Sequence, residues 1–173
     1  MTAEELLLLD IPGKCTELVR GRLVVSEPPG FVRGVVVVKI ARLISEFADS
    51  RGAGIVAADT GYTLERNPDT VSAPDVSFVR RERVPSPLPR GYAEFAPDLA
   101  VEVLSPGNRP GEVLAKIGDW LKAGTRLVWI VDPIRRAARV YRADGTEAFT
   151  AIDDSLDGED VLPGFSLPLS AIL

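Results

Sequence analysis

The sequence predicts an α/β (α+β) fold, a central mixed β-sheet flanked by helices, in one domain spanning residues 1–173. Three observations carry this expectation. A chain of 173 residues fills one good core but not two. Two strongly apolar strand-like runs, "DLAVEVL" from Asp98 and "RLVWIVDP" from Arg126, enclose a helical stretch from Glu112 to Ala123. Helix, hairpin, helix, several strands, helix and strands then follow one another with no internal repeat and no linker.

Taken in order, Thr2 and Glu5 form a T-x-x-E capping box before a run of leucines, which predicts a short first helix. "CTELVRGRLVVSE" places two apolar runs around Arg20-Gly21 and reads as a β-hairpin. Between Phe31 and Arg51 the polar positions Lys39, Arg42, Glu46 and Asp49 recur every three or four residues, marking the wet face of a long helix. "GIVAAD" from Gly54, "GYTLE" from Gly61 and "DVSFV" from Asp75 predict strands, and "NPDTVSAP" before the last of them predicts a turn. "RRERVPSPLPRG" reads as a proline-rich loop. The helix from Glu112 shows a core stripe of Val113, Leu114, Ile117, Trp120 and Leu121 and closes at Gly124. Asp144-Gly145 between two strand-like runs predicts a second hairpin. The apolar, proline-punctuated tail "VLPGFSLPLSAIL" is expected to pack on the core as irregular structure.

Composition removes several classes of function. The sequence has no histidine, which excludes Ser-His-Asp and Cys-His hydrolases and histidine metal sites. Cys15 is the only cysteine, so no internal disulfide forms, and a reducing cytoplasm is the expected location. No apolar run approaches the roughly 20 residues of a membrane span, and "MTAEE" lacks the basic start of a signal peptide. Net charge is −5, but the seven acids after Arg142 meet no base, so residues 1–143 carry 20 bases against 18 acids. Sixteen of the 20 bases are arginine, the better residue for forked contacts to phosphate.

Three residues stand out chemically. Glu102 interrupts an apolar strand and shares a face with Ala100 and Leu104, where an unpaired carboxylate would be costly. Its partner is either an arginine from elsewhere, solvent at a strand edge, or a metal. Asp75 follows Pro74 at the start of a strand and projects from its end, as a turn former or as a second acid near Glu102. Two such acids repel unless a cation lies between them, and Mg²⁺ or Mn²⁺ suits oxygen ligands. Lys116 borders the core stripe of its helix. It either snorkels to water, pairs with Glu112 one turn back, or reaches over the strand end toward Glu102.

Together, "APDVSFV", "PDLAVEVLSP", a helix carrying a lysine and "AGTRLVWIVDP" resemble the Uma-two family, small bacterial proteins described as restriction endonucleases with a PD-(D/E)XK nuclease-like core. "TELVRGRLV" and "DVLPGFSLPLSAIL" extend the resemblance over nearly the whole chain. It implies a restriction-endonuclease-like domain that hydrolyses DNA phosphodiester bonds with Mg²⁺ (or Mn²⁺), as a cytoplasmic homodimer. By the same resemblance Asp75 and Glu102 bind the metal, Lys116 completes the catalytic set, and Glu17 is an auxiliary acid from the hairpin. The superfamily lysine two residues after the second acid is replaced here by Leu104, and Lys116 on the next helix is the matching residue. A histidine common in the family before the long helix is Arg33 here. That exchange favours the alternative reading, a catalytically inactive nuclease-fold binding or regulatory module.

Overall fold

Hydrophobic alternation sets the sheet that organises the molecule, described over residues 1–173 in a computed structural model. The chain runs α1 (Ala3–Leu7), β1 (Cys15–Val19), β2 (Arg22–Ser26), α2 (Phe31–Arg51), β3 (Gly54–Ala58), β4 (Tyr62–Glu65), β5 (Thr70–Ser72) and β6 (Val76–Arg80). It continues with β7 (Leu99–Val103), α3 (Pro110–Lys122), β8 (Leu127–Asp132), β9 (Ala137–Arg142), β10 (Glu147–Thr150), β11 (Ser155–Asp157) and β12 (Ser166–Pro168). Six strands form the main sheet in the order β10-β9-β8-β7-β6-β3. Only the β7–β8 pair is parallel, because α3 carries the chain back between them, so the sheet is mixed as predicted.

The two faces of the sheet bury different helices. Leu99, Val101 and Val103 face α2, whose buried stripe Val36, Ile40, Ile44 and Ala48 recurs every fourth residue. Ala100, Val128 and Ile130 face α3 through Ile117 and Trp120. The period of two therefore places Glu102 on the α3 side, the side expected from the sequence. Helix α2 ends at Gly52, whose φ of 58° gives the left-handed cap that glycine supplies without strain.

A smaller sheet, β2-β1-β5-β4, stands beside the main one. It contains one correction: "NPDTVSAP" is not only a turn, since Thr70–Ser72 forms β5 between β1 and β4. Three residues between turn formers are too short for a period to be read from sequence. The capping box of α1 and both hairpins form as expected. Leu114 departs from the predicted core stripe of α3 and is 57% exposed, because Ile117 and Trp120 already fill the sheet contact. Lys39 departs from the wet face of α2: it is half-buried, and its ammonium donates to the carbonyl of Ile172 in the tail. The tail is more regular than expected. β11 and β12 pair antiparallel, and Leu156, Leu162, Phe165, Leu167 and Leu169 seal the α2 side of the core. No helix is long and apolar enough to cross a membrane.

Candidate active site

The site forms where the small sheet, β6, β7 and α3 meet. Asp75 lies one residue before β6, with Val76 paired antiparallel to Val101. Extending that register by one place sets Asp75 opposite Glu102, so the ladder that builds the core also juxtaposes the two acids. Asp75 is 2% exposed. Its Oδ2 accepts the Val103 N–H at 2.6 Å, and Arg33 from the first turn of α2 grips both oxygens, Nη2 to Oδ1 at 2.6 Å and Nε to Oδ2 at 3.2 Å. Burial raises the Asp75 pKa above the usual aspartate value, although the Val103 N–H and Arg33 oppose it.

Lys116 is the hub of the other half. Its ammonium forms ion pairs with Glu102 Oε1 at 2.9 Å and Glu17 Oε1 at 3.0 Å and donates to the Ala73 carbonyl at 3.2 Å. One turn further along α3, the Trp120 indole N–H also donates to Glu102 Oε1 at 3.3 Å. Glu17, in the middle of β1, accepts from the Ser72 hydroxyl at 2.7 Å and the Ala73 N–H at 2.8 Å, which ties the small sheet to the approach of β6. Of the alternatives open for Lys116, the pair with Glu112 is not made: Glu112 instead lies 3.6 Å from Arg109. The structure thus brings Asp75, Glu102, Lys116 and Glu17 into one cluster.

Electrostatics separates the three acids. Burial pushes the Glu102 carboxyl up to about 7; Lys116 works against that shift, and the charges of Asp75 and Glu17 add to it. Burial also penalises Glu17, but Lys116, the Ala73 N–H and the Ser72 hydroxyl outweigh it and hold its pKa below the usual glutamate range. Burial would lower the Lys116 pKa, yet Glu102 and Glu17 overcome it and raise it above that of a free lysine. Three carboxylates thus face two protein cations, and Glu102 holds the surplus charge.

Asp75 and Glu102 offer oxygen atoms, the ligand type a hard divalent cation takes. The hydrogen bonds from Ser72 and Ala73 to Glu17 and from Trp120 to Glu102 all fall on Oε1. No three acidic or cysteine side chains make a metal-binding group by themselves. Two carboxylates are nevertheless the usual protein share for Mg²⁺, with waters and phosphate oxygens completing its shell. Asp75 and Glu102 are the two that would hold it.

Two contacts went unread in the sequence. Trp120 was expected only as core, yet its indole orients Glu102; its place four residues after Lys116 on one helix face was the available signal. Arg33 was expected near the site but not as the partner of Asp75, since nothing local links residues 33 and 75. Arg135, Arg139 and Arg142 pair with Asp132, Glu147 and Glu159.

A mixed sheet flanked by helices thus carries an acid entering β6, an acid inside β7 and a lysine on the following helix. The chain belongs to the Uma2 family, described as "Putative restriction endonuclease", which it matches over residues 3–170. Among solved structures it is similar to a "putative nuclease belonging to DUF820" from Anabaena variabilis ATCC 29413, with a TM-score of 0.87 and 20% sequence identity over 99% of this chain and 97% of that one. At that identity the likeness speaks for the fold. No curated protein matches the chain.

Proposed function

We propose that the protein, as one domain over residues 1–173, is a divalent-metal-dependent endonuclease that hydrolyses DNA phosphodiester bonds. The observation that carries this reading is Lys116 bridging Glu102 and Glu17 beside the buried Asp75. Asp75 and Glu102 would hold Mg²⁺ or Mn²⁺. When bound, such an ion supplies positive charge to the phosphodiester and makes water at the site more acidic. Lys116 orients both glutamates, and its positive charge would offset the charge developing on phosphorus. Glu17 fixes the ammonium from the hairpin side. Water adds to phosphorus, the P–O bond to the leaving nucleoside breaks, and the leaving oxygen takes a proton.

The test uses purified protein with Mn²⁺ or Mg²⁺ on supercoiled plasmid, linear duplex and single-stranded DNA, beside Asp75→Asn. Metal-dependent nicking that falls by about a hundredfold or more in the variant is expected. A variant as active as the parent would remove Asp75 from the site. One observation favours the second reading, an inactive nuclease-fold binding module: Arg33 and Val103 already engage both Asp75 oxygens. Metal binding without cleavage of any of the three substrates would select it.

A cytoplasmic homodimer is the assembly we propose. It is supported by the apolar surface on the first half of α2, where Phe31 is 88%, Val32 64% and Val38 66% exposed. Sedimentation at micromolar concentration is expected to give twice the 18.6 kDa chain mass, and Val38→Glu to shift the protein to monomer. A parent that sediments as a monomer throughout would exclude the dimer.

A further inference from the structure

Arg33 occupies a position that helix physics does not favour. It lies in the first turn of α2, a helix of 21 residues with no acidic side chain in that turn and no side-chain cap at Gly30. The positive end of the helix dipole therefore meets a cation, an arrangement that needs a compensating anion. That anion is Asp75, and both of its oxygens are the acceptors. Asp75 is almost fully enclosed, whereas the Arg33 side chain is 26% exposed, so the guanidinium enters from the solvent side of the pair. The same carboxylate is one that the proposed divalent cation would use.

We propose that Arg33 is an exchangeable counter-ion: it holds Asp75 in the metal-free protein, yields the carboxylate to a divalent cation, and turns its freed guanidinium to the phosphate of the bound nucleic acid. This rests on the nuclease reading for the identity of the phosphate, but the exchange itself is independent of cleavage. Arg33 on both oxygens and the Val103 N–H on Oδ2 fill three of the roughly four lone-pair sites of Asp75, so a cation that takes the carboxylate competes with Arg33, while the Val103 N–H remains as an orienting donor. Loading thus does not disturb the strand contact. It replaces the single charge of a guanidinium by the double charge of the ion and releases the arginine fork from its carboxylate. A planar fork of this kind matches two phosphate oxygens at once. A metal-free site of this design is closed by its own side chain, so its apparent metal affinity is lowered by the fraction of molecules in which Asp75 is disengaged.

The exchange can be read in the unaltered protein. In ¹⁵N-arginine spectra, assigned with Arg33→Lys, the Nε–H resonance of Arg33 is expected to move from a bonded to a free position as Mg²⁺ is added. It should move again when a non-cleavable phosphorothioate duplex follows. A resonance that stays fixed at saturating Mg²⁺ overturns the proposal. Calorimetry gives the complement: Arg33→Gln is expected to bind Mn²⁺ about tenfold more tightly, if Asp75 is free in roughly a tenth of parent molecules. It should bind Ca²⁺-loaded duplex DNA more weakly, with Arg33→Lys in between. Equal or weaker Mn²⁺ binding by Arg33→Gln, or no Mn²⁺ binding by either protein, also overturns it. If the parent cleaves nothing while the Arg33 resonance still moves with Mg²⁺, the nuclease reading falls and the counter-ion exchange stands.

Discussion

Replacing Glu102 by glutamine is expected to make the metal-free protein more stable at pH 8 and to remove the metal-dependent cleavage proposed for it. Glu102 is buried with a surplus of negative charge around it, and its folded-state pKa of about 7 lies above the ordinary 4.5. An acid whose pKa is raised by folding contributes stability that is fully present below about pH 4.5 and is lost as pH rises through 7. Over that window the ionising carboxylate costs the fold on the order of 3 kcal/mol. Glutamine keeps the shape and the acceptor for Trp120 and Lys116 without the charge. Its melting temperature should exceed the parent's at pH 8 and lose the decline between pH 5 and 8. Added Mn²⁺ should restore stability to the parent, by about 3 kcal/mol at a hundredfold excess over Kd, and leave Glu102→Gln unmoved. Cleavage should fall by about a hundred- to a thousandfold. Thermal melts with and without Mn²⁺ at both pH values decide it; an equal Mn²⁺ shift in both proteins would remove Glu102 from the metal.

Lys116→Met is expected to have the opposite effect on stability and the same effect on activity. The ammonium is the shared partner of Glu102 and Glu17, and removing it leaves two buried carboxylates without their cation. Breaking a buried pair from one side costs about 3–5 kcal/mol. The loss should be largest at pH 8, where both acids are ionised, and smaller at pH 5, where Glu102 takes up a proton. Glu102→Gln in the Lys116→Met background should recover part of it, since the two changes act on one cluster. Urea unfolding of the single and double variants at both pH values measures this. A cost that is the same at pH 5 and pH 8 would mean that methionine fails for lack of fit and that charge is not the cause.

The site was legible to the extent that it lies in continuous pattern. Glu102 was visible because a period of two fixes which face a strand residue takes, and Asp75 because proline fixes the start of a strand. Lys116 was visible at the edge of a helical stripe. The juxtaposition of these residues is a matter of register and sheet order: the residues alone offered it as one alternative among several, and the resemblance to a known family selected it. Arg33 on Asp75 and Trp120 on Glu102 escaped because both depend on how separate elements pack. β5 and the β11–β12 pair escaped because three-residue strands carry too little period to be read. Their regularity comes from neighbours that complete their hydrogen bonds.

The shared register of β6 and β7 has an evolutionary consequence. Val76 opposite Val101 keeps the core filled, and the next step outward puts Asp75 opposite Glu102. A slip of one residue would turn every side chain of a strand to its other face and ruin the core and the acid pair together. Selection for a foldable sheet therefore preserves the geometry of the acids at no further cost, whatever use the site has. Drift away from catalysis should leave its earliest marks on the movable cations around the pair, on α2 and α3, where side chains can change without unfolding the sheet.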